Sequence, residues 1–480
     1  GLGANAVDSI TTGDYNVGLG DNALTATTTG QYHTAVGHKA LTSNIDSNNN
    51  TAIGFQVLHD NTTGGNNTGL GTSALQANTT AANNTAVGYY ALKVNTTGTE
   101  NVAVGYQTLD ANTTGSSNTA IGRTSMTANT TASNNTAIGR FSLGTNTTGS
   151  ENTALGRSAL MSNTTAIDNT AVGYNALTAN TTAAYNTAIG TYALSANTTG
   201  NNNTAVGKSA LVANTTASYI TGVGYQALKL NTTGTANVAL GADALRQNLT
   251  GADNVAVGNN ALALNTASNN SAFGYKSLFS NTTGEVNSAF GALAMYTNTT
   301  GYGNTAVGKN SLYTNNGNDN TAIGHEALES NTTGAYNTAL GRDALTANTT
   351  GAENTAVGKG ALLANTTGTH NSSVGMESLD ANTTGGSNTA MGSASLSSNT
   401  TASNNTAFGR SALKLTTTGA SNVAVGYNAL EANTTGAENV AVGKDSLTAN
   451  TTGDFNVAIG ERALAYNTTA DNNIAMGKKA

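Results

Sequence analysis

Acidic and histidine side chains are the residues of this chain that could act as general acids, nucleophiles or metal ligands. The chain has 25 Asp and Glu, no Cys, and five histidines: His33, His38, His59, His325 and His370. Polysaccharide cleavage needs two carboxylates at a set separation in a groove, but these acids are scattered and no insertion would build a groove. His33 and His38 share neither a zinc-ligand spacing nor nearby acids. We therefore expect solvated or turn histidines, no catalytic residue, no metal site, no cofactor and no enzyme activity.

Composition excludes several other classes of function. The net charge of −7 offers no basic stripe for nucleic acid. The absence of Cys excludes disulfides and thiolate metal sites. No apolar run approaches the ~18 residues of a membrane span, so we expect none within this segment. Because the chain starts and stops in mid-repeat without an initiator Met, we interpret it as part of a longer protein.

One short repeat fills the whole chain. The glycine of an Ala-(Val/Ile/Leu)-Gly motif recurs every 17 residues from Gly3 to Gly477, with two steps of 16 that end at Gly274 and Gly324. With this glycine as slot 5, the consensus of one repeat is N-T-A-V-G-x-x-A-L-x-x-N-T-T-G-x-x. A unit this short cannot form a helical solenoid repeat, which needs about 33 residues. We predict a single repetitive array over 1–480.

Charge placement indicates which slots face water. All 18 Lys and Arg occupy slots 6, 7 and 10, and slots 3, 4, 8 and 9 never carry a charge. Buried charges are costly, so the charge-free slots are the candidates for burial. Gly in slots 5 and 15 disfavours a helix, while turn residues between short apolar pairs favour two short strands per repeat. The sequence predicts an all-β fold, a parallel β-solenoid of about 29 coils.

Apolar residues on both faces of the predicted strands predict association. Neighbouring side chains of a strand point to opposite faces, yet slots 3 and 4 (Ala103 and Val104) are both apolar, as are slots 8 and 9 (Ala91 and Leu92). The narrow interior can hide only one face, which we expect to be the one with the small Ala. The other face needs a partner to cover it, and other copies of the same chain are the simplest candidates.

The N-T-A-V-G-x-x-A-L pattern resembles the head repeats of YadA-like trimeric autotransporter adhesins over the whole chain. The Asn-Thr-Thr-Gly variant is also similar to repeats of phage-type tail-fibre proteins. The resemblance implies a left-handed parallel β-roll, three chains side by side, and an extracellular place on a cell or virion surface. The chain departs from the family in its longer coil and in having no recognisable neck, stalk, anchor or chaperone.

Stacked coils should place equivalent residues above one another, about 4.8 Å apart, which gives a rod of roughly 140 Å. We expect Asn112, Asn129 and Asn146 to form an Asn ladder, with a Thr ladder beside it. Glycine in slot 5 suits a bend with positive φ. The Asn-Thr-Thr triplets also match the glycosylation sequon, but glycans on every coil would collide, so a turn ladder is the preferred interpretation. The triplets begin, for example, at Asn61, Asn78 and Asn95.

Exposed aromatic residues often occupy slot 6 and could stack on sugars or a host protein, although covering the neighbouring coil is more usual. They include Phe55, Tyr89, Tyr106, Tyr174, Tyr225 and Tyr427.

These observations predict a structural or adhesive surface fibre: a rigid trimeric rod whose repeated weak contacts attach it to an unknown receptor, glycan or matrix protein. Three alternatives stay open, namely an ice- or surface-binding module, a self-assembling extracellular filament, and the shaft of a carbohydrate-active tailspike.

Overall fold

The computed structural model describes residues 2–480, which form an all-β parallel solenoid of 28 strands and about 27 turns without a helix. This confirms the predicted fold class. The chain comprises two compact units, Gly1–Ala239 and Leu240–Ala480.

The strands are three residues long and occupy slots 2 to 4 of successive coils. The first unit holds β1 (Val17–Leu19), β2 (Thr34–Val36), β3 (Thr51–Ile53), β4 (Thr68–Leu70), β5 (Thr85–Val87), β6 (Val102–Val104), β7 (Thr119–Ile121), β8 (Thr136–Ile138), β9 (Thr153–Leu155), β10 (Thr170–Val172), β11 (Thr187–Ile189), β12 (Thr204–Val206) and β13 (Thr221–Val223). β14 (Val238–Leu240) includes the boundary. The second unit holds β15 (Val255–Val257), β16 (Ser271–Phe273), β17 (Ser288–Phe290), β18 (Thr305–Val307), β19 (Thr321–Ile323), β20 (Thr338–Leu340), β21 (Thr355–Val357), β22 (Ser372–Val374), β23 (Thr389–Met391), β24 (Thr406–Phe408), β25 (Val423–Val425), β26 (Val440–Val442), β27 (Val457–Ile459) and β28 (Ile474–Met476).

Within each unit, every strand pairs in parallel with the equivalent strand of the next coil. In the pair β6–β7, Ala103 lies opposite Ala120 and Val104 lies opposite Ile121. The two shortened coils keep this register, because Val255 still pairs with Ser271 across the first of them. The missing residue falls in the slot 12–15 turn, between strands.

The core of a coil is built from six slots. In the coil 101–117, Asn101, Ala103, Thr108, Leu109 and Asn112 are fully buried, and slot 15 is buried as well. The slot 9 Leu is the largest of these side chains, and its burial contributes about 2 kcal/mol per coil. The remaining slots of this coil are half-buried or exposed. This confirms the prediction for the charged slots 6, 7 and 10, whereas slot 4, a candidate for burial, is only half-buried.

The prediction of a second strand in each coil is wrong. Slots 6 to 11 form turns, in which the residues of slots 7 and 9 have left-handed backbones, with φ of 48° at Gln107 and 54° at Leu109. These turns aim both slot 8 and slot 9 into the core, so Ala91 and Leu92 are both fully buried. Only the strand, through slots 3 and 4, therefore has apolar residues on both of its faces.

Hydrogen bonds between coils hold these uncommon backbone conformations. The amide of Leu109 donates to the carbonyl of Ser125 in the next coil at 3.0 Å, and that of Gln107 donates to Tyr89 O in the preceding coil at 2.9 Å. Left-handed conformations cost about 1–2 kcal/mol each for residues other than glycine. The stack supplies the bonds that offset this cost.

The slot 5 glycines have the predicted positive φ, which is 138° at Gly105. A Cβ built on Gly105 would lie 2.7 Å from the carbonyl oxygen of Gly122 in the next coil. Both the backbone conformation and the close approach of two coils therefore require glycine here.

Candidate functional site

The most distinctive surface is an apolar row formed by the slot 4 side chains. In every strand from β1 to β27 the middle residue is buried while slots 2 and 4 point outward. Slot 4 residues such as Leu340 and Val374 keep 44% and 36% of their surface exposed. The expectation that Ala would point inward and Val outward is confirmed. We name the outward side of slots 2 and 4 the strand face.

The strand face carries no charged side chain, because its slots hold only Thr, Ser and apolar residues in both units. Aromatic rings extend the row where they occur: Phe273 and Phe290 in slot 4 stack with centroids 4.7 Å apart. Each unit thus presents a charge-free strip that is more than ten coils long. Soluble monomers rarely expose a continuous apolar strip of this kind.

Slot 6 aromatic residues lie beside the strand face and are exposed. Tyr106 keeps 45% of its surface, and its ring stacks on Tyr89 of the preceding coil at 5.4 Å. His38 stacks in the same way on Phe55 at 5.6 Å. These rings both cover a neighbouring coil and leave an edge for an external contact.

The predicted Asn ladder at slot 12 is present and buried. Asn112 Nδ2 donates to Asn95 Oδ1 at 2.8 Å and to Gly115 O at 2.9 Å, and Asn129 Nδ2 donates to Asn112 Oδ1 at 2.8 Å. The sequon asparagines Asn61, Asn78 and Asn95 are fully buried members of this ladder. A glycan on their amide nitrogens would require the ladder to open.

Slot 1 holds a second buried Asn ladder, which sequence reasoning missed. Asn118 donates from its main-chain N to Asn101 Oδ1 at 3.0 Å, and its Nδ2 donates to Ala132 O at 2.9 Å. The signal was an Asn at the start of almost every repeat.

His33 contradicts the prediction of solvated or turn histidines, since it is fully buried in slot 1. Its Nδ1 accepts the main-chain N–H of Asn50 at 3.2 Å and its Nε2 lies 2.8 Å from Ser47 O. The imidazole of His33 therefore makes the same two contacts that the slot 1 Asn makes in other coils. Burial lowers the pKa of His33 below its ordinary value of 6.5, partly opposed by hydrogen bonds with Ser47 and Asn50.

The Thr rows of slots 13 and 14 differ in their contacts. In slot 13, Thr113 Oγ1 donates to Thr130 O of the next coil at 3.0 Å, and Thr130 repeats this bond to Thr147 O at 3.2 Å. The predicted Thr ladder thus links hydroxyls to main-chain carbonyls. The slot 14 residues, such as Thr114, are exposed.

Acids that seemed scattered in the sequence come together at one place. His325, Glu326 and Asp343 bring one donor atom each to within 4.8 Å of one another, the one such group within residues 2–480. Burial raises the pKa of the nearby Glu329, helped by the charges of Glu326 and Asp343 and opposed by His325 and a hydrogen bond from Asn310. The stacking of successive coils places Asp343 beside His325 and Glu326. Their separation in the sequence does not show that they are close.

Comparison with known proteins gives no match. No family model matches it, and no curated protein matches it significantly. A search of residues 2–480 finds no helix with the length and apolar character needed to cross a membrane.

Proposed function

We propose that the chain is the repetitive part of an extracellular adhesive fibre, in which identical chains pack side by side through their strand faces and the assembly attaches to a surface. The observation that carries this proposal is the charge-free apolar row of slot 4. The number of chains, three, follows the resemblance to YadA-like head repeats. No catalysis is part of the proposal.

The energetics favour association over many coils rather than few. Complete burial of a Val, Leu or Ile side chain contributes about 1.5–3 kcal/mol, and the more exposed slot 4 residues keep about two-fifths of their surface, such as 44% at Leu340. Each coil can therefore add about 1 kcal/mol per chain. Association costs about 4–15 kcal/mol in lost freedom, so contact over roughly four to fifteen coils is needed to offset it, and the repeat provides that length.

Adhesion by such a fibre depends on multiplicity. Exposed slot 6 rings such as Tyr106 and Tyr225 recur beside the strand face, and amphipathic aromatic rings are suited to weak contacts with sugars or proteins. Bringing three chains together multiplies such contacts. The overall binding strength of several linked weak sites can exceed the affinity of a single site by 10²–10⁴-fold. The receptor class is a surface glycan or matrix protein.

Retention of chain-coated beads on glycan- and matrix-protein-coated surfaces under flow tests this function. The face variant Val104→Lys/Ile121→Lys/Ile138→Lys adds charge to three consecutive coils of the strand face. Its control, Thr114→Lys/Thr131→Lys/Thr148→Lys, adds the same charge to exposed slot 14 of the same coils. We expect wild type and control to be retained, and the face variant to be retained less, because its three charged coils weaken the packing of the chains and fewer contacts then act together. Wild-type beads that bind none of the surfaces, or a face variant that binds equally well, would refute the proposal.

A further inference from the structure

We infer that His325, Glu326 and Asp343 form a binding site for one divalent transition-metal ion of the Zn²⁺ class, which links two neighbouring coils. This site is independent of the proposed adhesive function. It combines one imidazole with two carboxylates, a donor set that suits Zn²⁺.

The coil-to-coil register brings the three residues together. His325 and Glu326 occupy slots 6 and 7 of the coil 320–336, and Asp343 occupies slot 7 of the next coil. The main-chain N–H of Asp343 donates to His325 O at 3.0 Å, which fixes the two coils beside each other at this point. The three side chains consequently project from the same side of the solenoid.

The distances are compatible with a shared ion. His325 Nε2 lies 3.5 Å from Glu326 Oε1, and all three donor atoms lie within 4.8 Å of one another. Two ligands at 2.0–2.2 Å from a tetrahedral Zn²⁺ lie about 3.4 Å apart. The side chains are half-exposed, with 42% and 32% exposure for His325 and Glu326, so small rotations can close the remaining gap.

One further contact suits a metal ligand set. His325 Nδ1 is buried and makes no hydrogen bond within residues 2–480, so Nε2, which lies beside Glu326 Oε1, is the ring nitrogen placed to bind the ion. Arg342 Nε lies 3.1 Å from Asp343 Oδ2, which orients the carboxylate and leaves Oδ1 for an ion. Ligating carboxylates are commonly held by such an outer partner.

A second histidine–carboxylate pair in the same unit provides the matched control. His370 Nε2 lies 3.1 Å from Glu353 Oε2, but no third donor joins this pair within residues 2–480. If any imidazole beside a carboxylate were enough to bind the ion, both pairs would behave alike. If the third donor is required, only the His325 site binds tightly.

Calorimetric titration of the full chain with ZnCl₂ tests the inference, and Co²⁺ absorption reports on the ligand field. We expect one tight Zn²⁺ per chain, which His325→Gln or Asp343→Asn weakens at least ~10-fold while His370→Gln changes affinity less than ~2-fold. Circular dichroism melting of each metal-free variant confirms that these substitutions leave the fold intact. The inference fails if no tight site is found, if His370→Gln weakens binding as much as His325→Gln, or if Ca²⁺ binds as tightly and ignores the loss of His325.

Discussion

Thr416 interrupts the slot 12 Asn ladder, and replacing it with Asn should repair the gap. Thr416 is fully buried, and Asn433 Nδ2 reaches its hydroxyl at 3.3 Å. On its other side, the buried Asn399 Oδ1 finds no hydrogen-bond partner within residues 2–480. The Thr side chain is shorter than that of Asn, so its hydroxyl does not reach Asn399 Oδ1 in the preceding coil.

The intact ladder gives the magnitude expected for the repair. Asn365 Nδ2 donates to Asn348 Oδ1 at 2.9 Å and to Gly368 O at 3.1 Å. Thr416→Asn should restore the two equivalent bonds, to Asn399 Oδ1 and Gly419 O. Satisfying a buried unpaired acceptor is worth about 1–3 kcal/mol, so we expect a gain of about 2 kcal/mol in the local free energy of unfolding.

Native-state hydrogen exchange of peptides covering 399–433 measures this gain directly. Because 1.4 kcal/mol corresponds to a factor of ten, exchange in Thr416→Asn should be roughly 30-fold slower. The reverse change at an intact rung, Asn348→Thr, should speed exchange around residue 348 by a similar factor. Unchanged or faster exchange in Thr416→Asn would refute the view that the amide ladder stabilises the stack.

Two further predictions concern the turn glycines and the buried histidine. Gly105→Ala should lower the free energy of unfolding by several kcal/mol, seen as a lower urea midpoint, because its Cβ would lie 2.7 Å from Gly122 O at a φ of 138°. Gly360→Ala is its control and should be tolerated, since Ala394 already occupies the same slot 7 with φ 57°; equal losses in both variants would contradict the reasoning. As pH falls through 6.5, His33 becomes protonated in the unfolded chain but stays neutral in the folded chain, because burial lowers its pKa there. Protonation therefore favours the unfolded chain, and the free energy of unfolding should decline as pH falls. Thermal melting of wild type against His33→Asn from pH 7.5 to 5 should show this decline in wild type only, and parallel pH profiles would contradict it.

Repeat period and charge placement were enough to predict the solenoid, its slot 5 bend and the inward-facing Ala. Each of these depends on a residue type that tolerates few environments: glycine at positive φ, Lys and Arg in water, and Ala103 beneath Val104. The slot 12 ladder followed from the stacking of identical coils. These features are local to one repeat and recur in nearly all of them.

The features that sequence reasoning missed depend on backbone conformation or on contacts between coils. An apolar pair such as Ala91 and Leu92 looks like part of a strand, because nothing in a Leu signals the left-handed φ of 50° that turns it inward. His33 was expected in solvent, although its place in slot 1 means that it replaces a ladder Asn. The cluster of His325, Glu326 and Asp343 exists only because residues one coil apart in sequence lie side by side.

Light scattering after size-exclusion chromatography tests most directly whether the strand face joins identical chains. A trimer predicts a mass of about 143 kDa, three times the 47.7 kDa of one chain. The lysine-bearing face variant should begin to dissociate at a higher protein concentration than the wild type, while its slot 14 control should not. A wild-type chain that elutes at 47.7 kDa at every concentration, with its valine and isoleucine row in water, would contradict the account.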